Sequence, residues 1–384
     1  MKIYKEEFLS KLNILKTVQN TNSVMASLKC ISFEESSIRM TNMLVDIKIE
    51  YATNVTGLVD FNMLYTLVNS LKVSSFELIN GEHKVSIITN QGDYHIAKMS
   101  TEEVFPNLEI ENEAPEVNLN LTKFNYKYAA NFLTKDNMRP AMEGFGIYYN
   151  DVTTTLVATD AHKLVIIGEQ IFKENNIIIP RVIGLISDFL KESPYTTKVS
   201  KTHLYIFQNE ILYKIRLIEA QFPNVAGVLP SSSESKFSVT GSDLFTGLNR
   251  LKAATKALNA KVKITKGCLY LEASNVDFNY EAKEQVRCEA TDEYEFGIVI
   301  DNFLKILSGF PGVITFAYNG PSRPIVIENG SYYVLSTLSL INESEPVAKV
   351  KKAKASAKKN DEEEQEENEE ENEDEVVEQY NAED

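Results

Sequence analysis

The chain has 384 residues, 43% of them hydrophobic, which is too long for one ordinary domain and supplies enough apolar side chain for two or three cores. It has no run of 18 apolar residues, and its start, MKIYKEEF, lacks the apolar stretch of a signal peptide; these features exclude a membrane span and secretion, and a cytoplasmic chain is expected. The net charge of −16 does not exclude a nucleic-acid partner, because 15 acidic and no basic residues lie between Asp361 and Asp384, and taking them from the total leaves −1 over residues 1–360.

The predicted elements fall into three rounds. The first opens with a helix over about 4–17 and continues into alternating strands. Asp46, Lys48 and Glu50 interleave with Val45, Ile47 and Ile49, the period-two pattern of a half-buried antiparallel strand. Val59-Asp60 then runs into the amphipathic stretch FNMLYTLVNSL, and Asn80-Gly81 reads as a two-residue hairpin turn. The second round has a helix over about 122–135, strands, and Ile179-Pro180 running into RVIGLISDFL. The third has a helix over about 242–258, strands, Ile300-Asp301 running into NFLKIL, and a second Asn-Gly turn at Asn329-Gly330.

Shared landmarks tie the rounds together. Arg39-Met40-Thr41-Asn42, Val157-Ala158-Thr159-Asp160 and Glu272-Ala273-Ser274-Asn275 each close a strand, spaced by 118 and then 115 residues. Phe105-Pro106-Asn107-Leu108 returns as Phe222-Pro223-Asn224-Val225, 117 residues later. The fold class is therefore α+β: three tandem copies of one unit, two helices packed on antiparallel sheets, at residues 1–115, 118–231 and 236–342. The joints at Glu111–Pro115 and Pro230–Ser235 are short, and a fixed angle repeated between units makes an arc or a closed ring. Residues 343–384, Lys-rich and then acidic, have too little apolar content to offset their ordering entropy and are expected to be disordered.

Basic side chains gather on predicted helices at positions outside the apolar stripes. The residues expected to face DNA are Lys11 and Lys16, Lys123 and Lys127, Lys198 and Lys201 near the second helix of the middle unit, and Arg250 and Lys256. No aromatic platform, recognition-helix pattern or zinc-finger spacing accompanies them, which implies attraction to the phosphate backbone without base reading. Cys30, Cys268 and Cys288 have no metal-binding or disulfide-framework spacing. Phosphate-loop, nucleophile-elbow and zinc-protease motifs are all missing, so no catalytic residue, metal or cofactor is assigned and the chain is read as a non-enzyme. A base at His162 oriented by Asp160 is the enzymatic rival, and it has no nucleophile beside it.

Ala158-Thr159-Asp160-Ala161-His162-Lys163-Leu164 resembles the A-T-D-G-H-R-L segment of the bacterial DNA polymerase III β subunit, the sliding clamp. Arg139-Pro140-Ala141-Met142-Glu143-Gly144 is similar to that family's R-P-x-L-x-G strand, and Phe222-Pro223-Asn224 through Val228-Leu229-Pro230 to its F-P-D-Y-R-R-V-L-P. The resemblance implies that the three units are DNA-clamp domains and that two chains pair into a six-domain ring around duplex DNA. It implies a processivity factor that binds DNA without sequence specificity and tethers a replicative DNA polymerase. The further partners would be a clamp-loader ATPase and a second copy of the chain. A clamp-like recruiter that forms no stable ring is the rival within this class.

The family's partner-peptide cleft, between the middle and last domains, carries over to Met142, Thr159, Ala161, His162, Lys163, Leu164, Pro223, Val228, Val334, Ser336, Leu338 and Leu340. Its subunit contact carries over to Phe105, Leu108, Thr255 and Lys256. Where the family has M-P-M-R-L at its C-terminus, this chain has Ser336-Thr337-Leu338-Ser339-Leu340.

Overall fold

Asp60 and Asn125 show how helices begin in this chain: each side chain accepts a main-chain N–H three residues on, from Met63 at 2.8 Å and from Tyr128 at 3.1 Å. Each satisfies a donor that the first turn would otherwise leave without a partner. The computed structural model describes residues 1–339 except 21, 101–103, 112, 173–174, 231–234, 276 and 322. Leu340, expected in the cleft, and the tail 343–384, expected to be disordered, lie outside the described residues.

The elements recur in three rounds. The first comprises β1 (Lys2–Tyr4), α1 (Lys5–Lys16), β2 (Cys30–Phe33), β3 (Ser37–Thr41), β4 (Val45–Glu50), β5 (Gly57–Asp60), α2 (Phe61–Ser70), β6 (Ser75–Asn80), β7 (Lys84–Ile88) and β8 (Asp93–Ala97). The second comprises α3 (Tyr126–Ala129), β9 (Gly144–Tyr149), β10 (Thr154–Thr159), β11 (Lys163–Ile167), β12 (Asn175–Pro180), α4 (Ile183–Leu190), β13 (Thr196–Val199), β14 (His203–Gln208) and β15 (Ile211–Arg216). The third comprises β16 (Ser235–Thr240), α5 (Gly241–Thr255), β17 (Asn259–Ile264), β18 (Cys268–Asn275), β19 (Tyr280–Ala290), β20 (Tyr294–Val299), α6 (Ile300–Leu307), β21 (Val313–Tyr318), β22 (Ile325–Asn329) and β23 (Tyr332–Ser336).

Sheets run across the rounds. A seven-stranded sheet has the order β13-β14-β15-β4-β3-β2-β5, so β15 of the second round pairs with β4 of the first, Ile215 opposite Val45. A twelve-stranded sheet pairs β11 of the second round with β23 of the third, Leu164 opposite Leu335. Both joints end alike: the N–H of Arg216 reaches the Leu44 carbonyl at 2.8 Å, and the N–H of Thr337 reaches that of His162 at 2.9 Å. The strands equivalent to the joint strands, β8 in the first round and β19 in the third, have no such neighbour among the described residues. β8 is the free edge of the four-stranded sheet β1-β6-β7-β8, and β19 pairs only with β18 over Tyr280–Arg287.

Period-two alternation decides what each joint buries. Val165 and Ile167 of β11 enter the large core that also takes Leu248 and Leu251 of α5 and Phe303 of α6, while Leu164 and Ile166 enter a smaller apolar cluster on the opposite face. We call these the helix face and the outer face.

The segment 122–135 is not the single helix expected. It breaks into a 3-10 turn over Leu121–Lys123, the short α3, and a second 3-10 turn over Ala130–Phe132. Phe124, Tyr126 and Tyr128 are all buried while Lys123, Asn125 and Lys127 are exposed, and a straight helix cannot turn alternate residues to one side. Both hairpins are also shifted from their predicted centres. Gly81 donates to Lys84 at 2.9 Å, which puts Glu82-His83 at the centre of the first turn. Asn329 pairs with Tyr332, leaving Gly330-Ser331 as the second loop, with Gly330 at a φ of 58° that suits glycine.

Candidate partner cleft and DNA-facing surface

The turn between β10 and β11 is built by its own side chains. Thr159 Oγ1 donates to the Lys163 carbonyl at 2.9 Å and accepts from the N–H of Ala161 at 3.1 Å, while Asp160 Oδ1 accepts from the N–H groups of His162 and Lys163 at 3.0 and 2.9 Å. Ala161 takes a φ of 72°, an uncommon conformation for a residue with a Cβ, which these bonds hold in place. The turn thereby presents Ala161 and His162 to solvent at the edge of the outer face.

Beside it lies the outer apolar cluster. Leu164 and Leu335 face each other across β11 and β23, with Val157, Ile166 and Val326 around them. Thr159 stands opposite Leu164 and so shares its face. The chain leaving β15 closes the far side: Phe222 lies on Gly146, where an added Cβ would come within 2.9 Å of the ring, and packs edge-on to Tyr148 at 6.2 Å. Val225 is buried in the same cluster, Pro223 is half-buried, and Val228 is 52% exposed above it. Met142 is half-buried in the 3-10 turn Pro140–Met142, and its carbonyl takes the N–H of Thr134 at 3.1 Å.

Leu164, Thr159, Pro223 and Val228 thus border one apolar patch, but four expected cleft residues do not. Lys163 points to the helix face, where it is 1% exposed, donates to Asp160 and lies 5.9 Å from the centre of the Phe132 ring. Burial lowers the pKa of its ammonium below the usual lysine value, and the hydrogen bond to Asp160 acts in the opposite sense without prevailing. Val334 belongs to the large core, Ser336 is buried opposite Lys163, and Leu338 packs against the large core. The residues of β23 that reach the outer face are Tyr333 and Leu335, one register step from those expected. Leu335, Val326, Phe172 and Tyr148 also belong to the patch and were missed, because long-range pairing such as that of Leu335 with Leu164 sets their face.

The expected subunit-contact residues are corrected in part. The Phe105 ring lies 5.1 Å from the guanidinium carbon of Arg39, whose Nε donates to Asp46 at 2.7 Å, so it packs within its own chain on β3. Phe105-Pro106-Asn107 and Phe222-Pro223-Asn224 do the same job: each lies in the segment that crosses an outer face after the last strand of its round. The first crossing starts where Met99 bonds to Leu58 and ends with Glu109 accepting from Lys214 at 2.7 Å; the second starts where Ile218 bonds to Ile178. Leu108 is half-buried along the first crossing. Thr255 is fully buried and caps the end of α5 by donating to Leu251 at 2.8 Å, so it offers no contact surface; Lys256 is exposed in a left-handed conformation.

Among the basic residues, Lys16, Lys123, Lys127, Lys201, Arg250 and Lys256 are exposed, and Lys11 and Lys198 are half-buried. Lys16 covers the Tyr65 ring at 4.2 Å and Lys123 the Phe124 ring at 5.1 Å. Lys198 and Lys201 lie on β13 and in the turn after it, not beside a helix, and Lys198 reaches the Phe207 ring at 6.0 Å. Arg250 is held by Glu284 through two bonds of 2.8 Å, which keep the Glu284 carboxyl below the usual carboxylate range. No described helix is long and apolar enough to cross a membrane.

No protein-family model matches the chain. A curated relative, the beta sliding clamp of Treponema pallidum (strain Nichols), is 23% identical over 327 residues, which is 79% of this chain and 87% of the relative. The DNA polymerase III beta subunit of Thermotoga maritima superposes with a TM-score of 0.78 at 17% identity, covering 89% of this chain and 99% of that one. The beta clamp of Helicobacter pylori, bound to a DNA ligase peptide, superposes with a TM-score of 0.72 at 16% identity over 88% and 99% of the two chains. The α+β fold is therefore that of the bacterial clamps, as the resemblance at Ala158–Leu164 implied.

Proposed function

We propose that this chain, a divergent relative of the bacterial DNA polymerase III β subunit, is a sliding clamp: a cytoplasmic processivity factor that closes with a second copy into a ring around duplex DNA and tethers a replicative polymerase. Residues 1–115, 118–231 and 236–342 are its three domains, and 343–384 its tail. The observation that carries the reading is the repetition of one joint. β15 on β4 and β23 on β11 share a plan, and β8 and β19, in the equivalent positions, are left to make a third joint between chains. A unit that adds head to tail at a constant angle closes into a ring or winds into a filament, and a clamp of two such chains needs three joints on each side.

DNA is held by Lys11, Lys16, Lys123, Lys127, Lys198, Lys201, Arg250 and Lys256 through phosphates alone, which leaves the ring free to slide. Partners dock on the outer patch, where Leu164, Leu335 and Val326 form the floor for a Leu or Phe anchor, and Thr159, Ala161, His162, Met142, Pro223 and Val228 form the rim. Without a phosphate loop of its own, the ring depends on a separate loader ATPase to open.

The patch is tested by Leu335→Ala and by the surface change Val228→Glu. Each should abolish stimulation of the cognate polymerase while the chain stays folded and self-associated. Undiminished stimulation by both variants would place the partner site elsewhere.

A further inference from the structure

The outer face of the first joint carries a pocket where the second joint carries its apolar patch. Both joints end on the same bond, Leu44 to Arg216 and His162 to Thr337, so Asp46 takes the place of Leu164, and Lys214 that of Leu335. Pro106-Asn107 likewise takes the place of Pro223-Asn224. An apolar floor is thereby exchanged for a charged one. The cavity measures about 290 Å³ and is edged by Met43, Leu44 and Pro106. Met43 and Leu44 are 57% and 56% exposed, so the rim is apolar although the floor is not.

The charges of the floor do not cancel. Asp46 is engaged by Arg39, Glu219 lies 3.4 Å from Arg216, and Glu111 lies 3.5 Å from His203. Lys214 stands half-buried opposite Asp46. Its ammonium donates to the Glu109 carbonyl at 2.7 Å and has no carboxylate at ion-pair distance among the described residues. The pocket therefore presents one uncompensated cation beside exposed apolar side chains, which suits a carboxylate next to an aliphatic or aromatic residue. The chain carries such a segment itself. From 361 to 384, 15 residues are acidic, and the only valines and the only aromatic ring, Val376, Val377 and Tyr380, stand among Glu373, Asp374, Glu375 and Glu378. Tyr380 lies 41 positions after Ser339, a stretch of up to roughly 130 Å when extended, so every face is within reach and chemistry selects among them. The floor of the second joint, Leu164 against Leu335, offers apolar contact without a charge.

We propose that the acidic segment 373–380 of this chain docks in the pocket at the first joint, with a carboxylate on Lys214 and its apolar side chains against Met43 and Leu44. The acidic run is then held on the outer face, away from Lys16 of α1 and Lys127 of α3. The pocket lies within one chain, so the proposal stands apart from the ring reading.

The test puts the photo-cross-linker benzoylphenylalanine in place of Tyr380 in the full chain and maps the links by mass spectrometry after digestion. The expected result is a link to Met43-Leu44 or to Pro106-Asn107. Its yield should fall about tenfold in Leu44→Glu and in Lys214→Glu, since each sets a like charge against the incoming carboxylate. Leu44 is an exposed turn residue, so Leu44→Glu probes the site in a folded chain even if Lys214→Glu loosens the joint. Links confined to the lysines of 349–359, to the patch at the second joint or to the DNA-facing lysines would overturn the proposal. So would the absence of any link, or a yield that Leu44→Glu leaves unchanged.

Discussion

Asp160 and Asn42 hold two copies of one turn, 118 residues apart. Asn42 Oδ1 accepts from the N–H groups of Leu44 and Val45 at 3.1 and 2.8 Å, as Asp160 Oδ1 accepts from those of His162 and Lys163. Thr41 repeats the bonds of Thr159, and Met43 has a φ of 71° where Ala161 has 72°. The copies part at one point. The second oxygen of Asp160 takes the buried ammonium of Lys163, where the first copy has Val45.

That difference predicts unequal costs. Asp160→Ala strands a buried lysine charge and should lower stability by about 3–5 kcal/mol, whereas Asn42→Ala, which removes only neutral hydrogen bonds, should cost about 1 kcal/mol. Lys163→Met leaves the Asp160 carboxylate partly exposed and still bonded to two main-chain N–H groups, and should cost less than Asp160→Ala. Urea unfolding of the three variants checks the order.

The register of β23 gives a second prediction. Leu335→Ala and Val334→Ala each delete buried apolar volume and should destabilise, by roughly 2–4 and 1–3 kcal/mol. Only Leu335→Ala should weaken binding of a partner peptide, since Val334 faces the large core. Peptide titration of both variants at a temperature where each is folded distinguishes the two faces.

DNA contacts should not be equal either. Lys127 and Lys256 are exposed and have no ion pair among the described residues, while Arg250 is engaged by Glu284. Charge reversal at Lys127 or Lys256 should reduce the slope of log affinity against log salt by about 1–2. Arg250→Ala should change it less.

A pH dependence follows from His203 at the first joint, which lies 3.5 Å from the Glu111 carboxylate and 2.8 Å from Thr202 Oγ1. Burial, followed by Lys214, pushes its pKa below the usual value, and Glu111 opposes them without prevailing. The unfolded chain therefore takes up this proton first. Stability is full above the ordinary histidine value of ~6.5 and falls as pH drops through the folded value. His203→Gln should flatten that decline in thermal melts taken between neutral and mildly acid pH.

Much of this architecture was legible because repetition leaves the same local chemistry in each copy. The Thr-Asn and Thr-Asp pairs mark one turn, and the two Phe-Pro-Asn strings mark one crossing. What was not legible depended on long-range pairing. Val334, Leu335 and Ser336 are all buried, so composition gives no hint of which face each takes; the pairing of Leu335 with Leu164 decides it. Phe105 found its partner in Arg39, 66 positions earlier, and no periodicity points to that contact. The stretch 122–135 looked helical from its lysine spacing, while its aromatic residues followed the alternation of an extended chain.

The central claim, a ring that encloses DNA, is tested most directly by loading the full chain with its loader onto nicked circular duplex and then cutting half of the sample once. The account predicts retention on the circle through a high-salt wash and loss from the linear form by sliding off its ends. Equal loss from both, or equal retention on both, would contradict it.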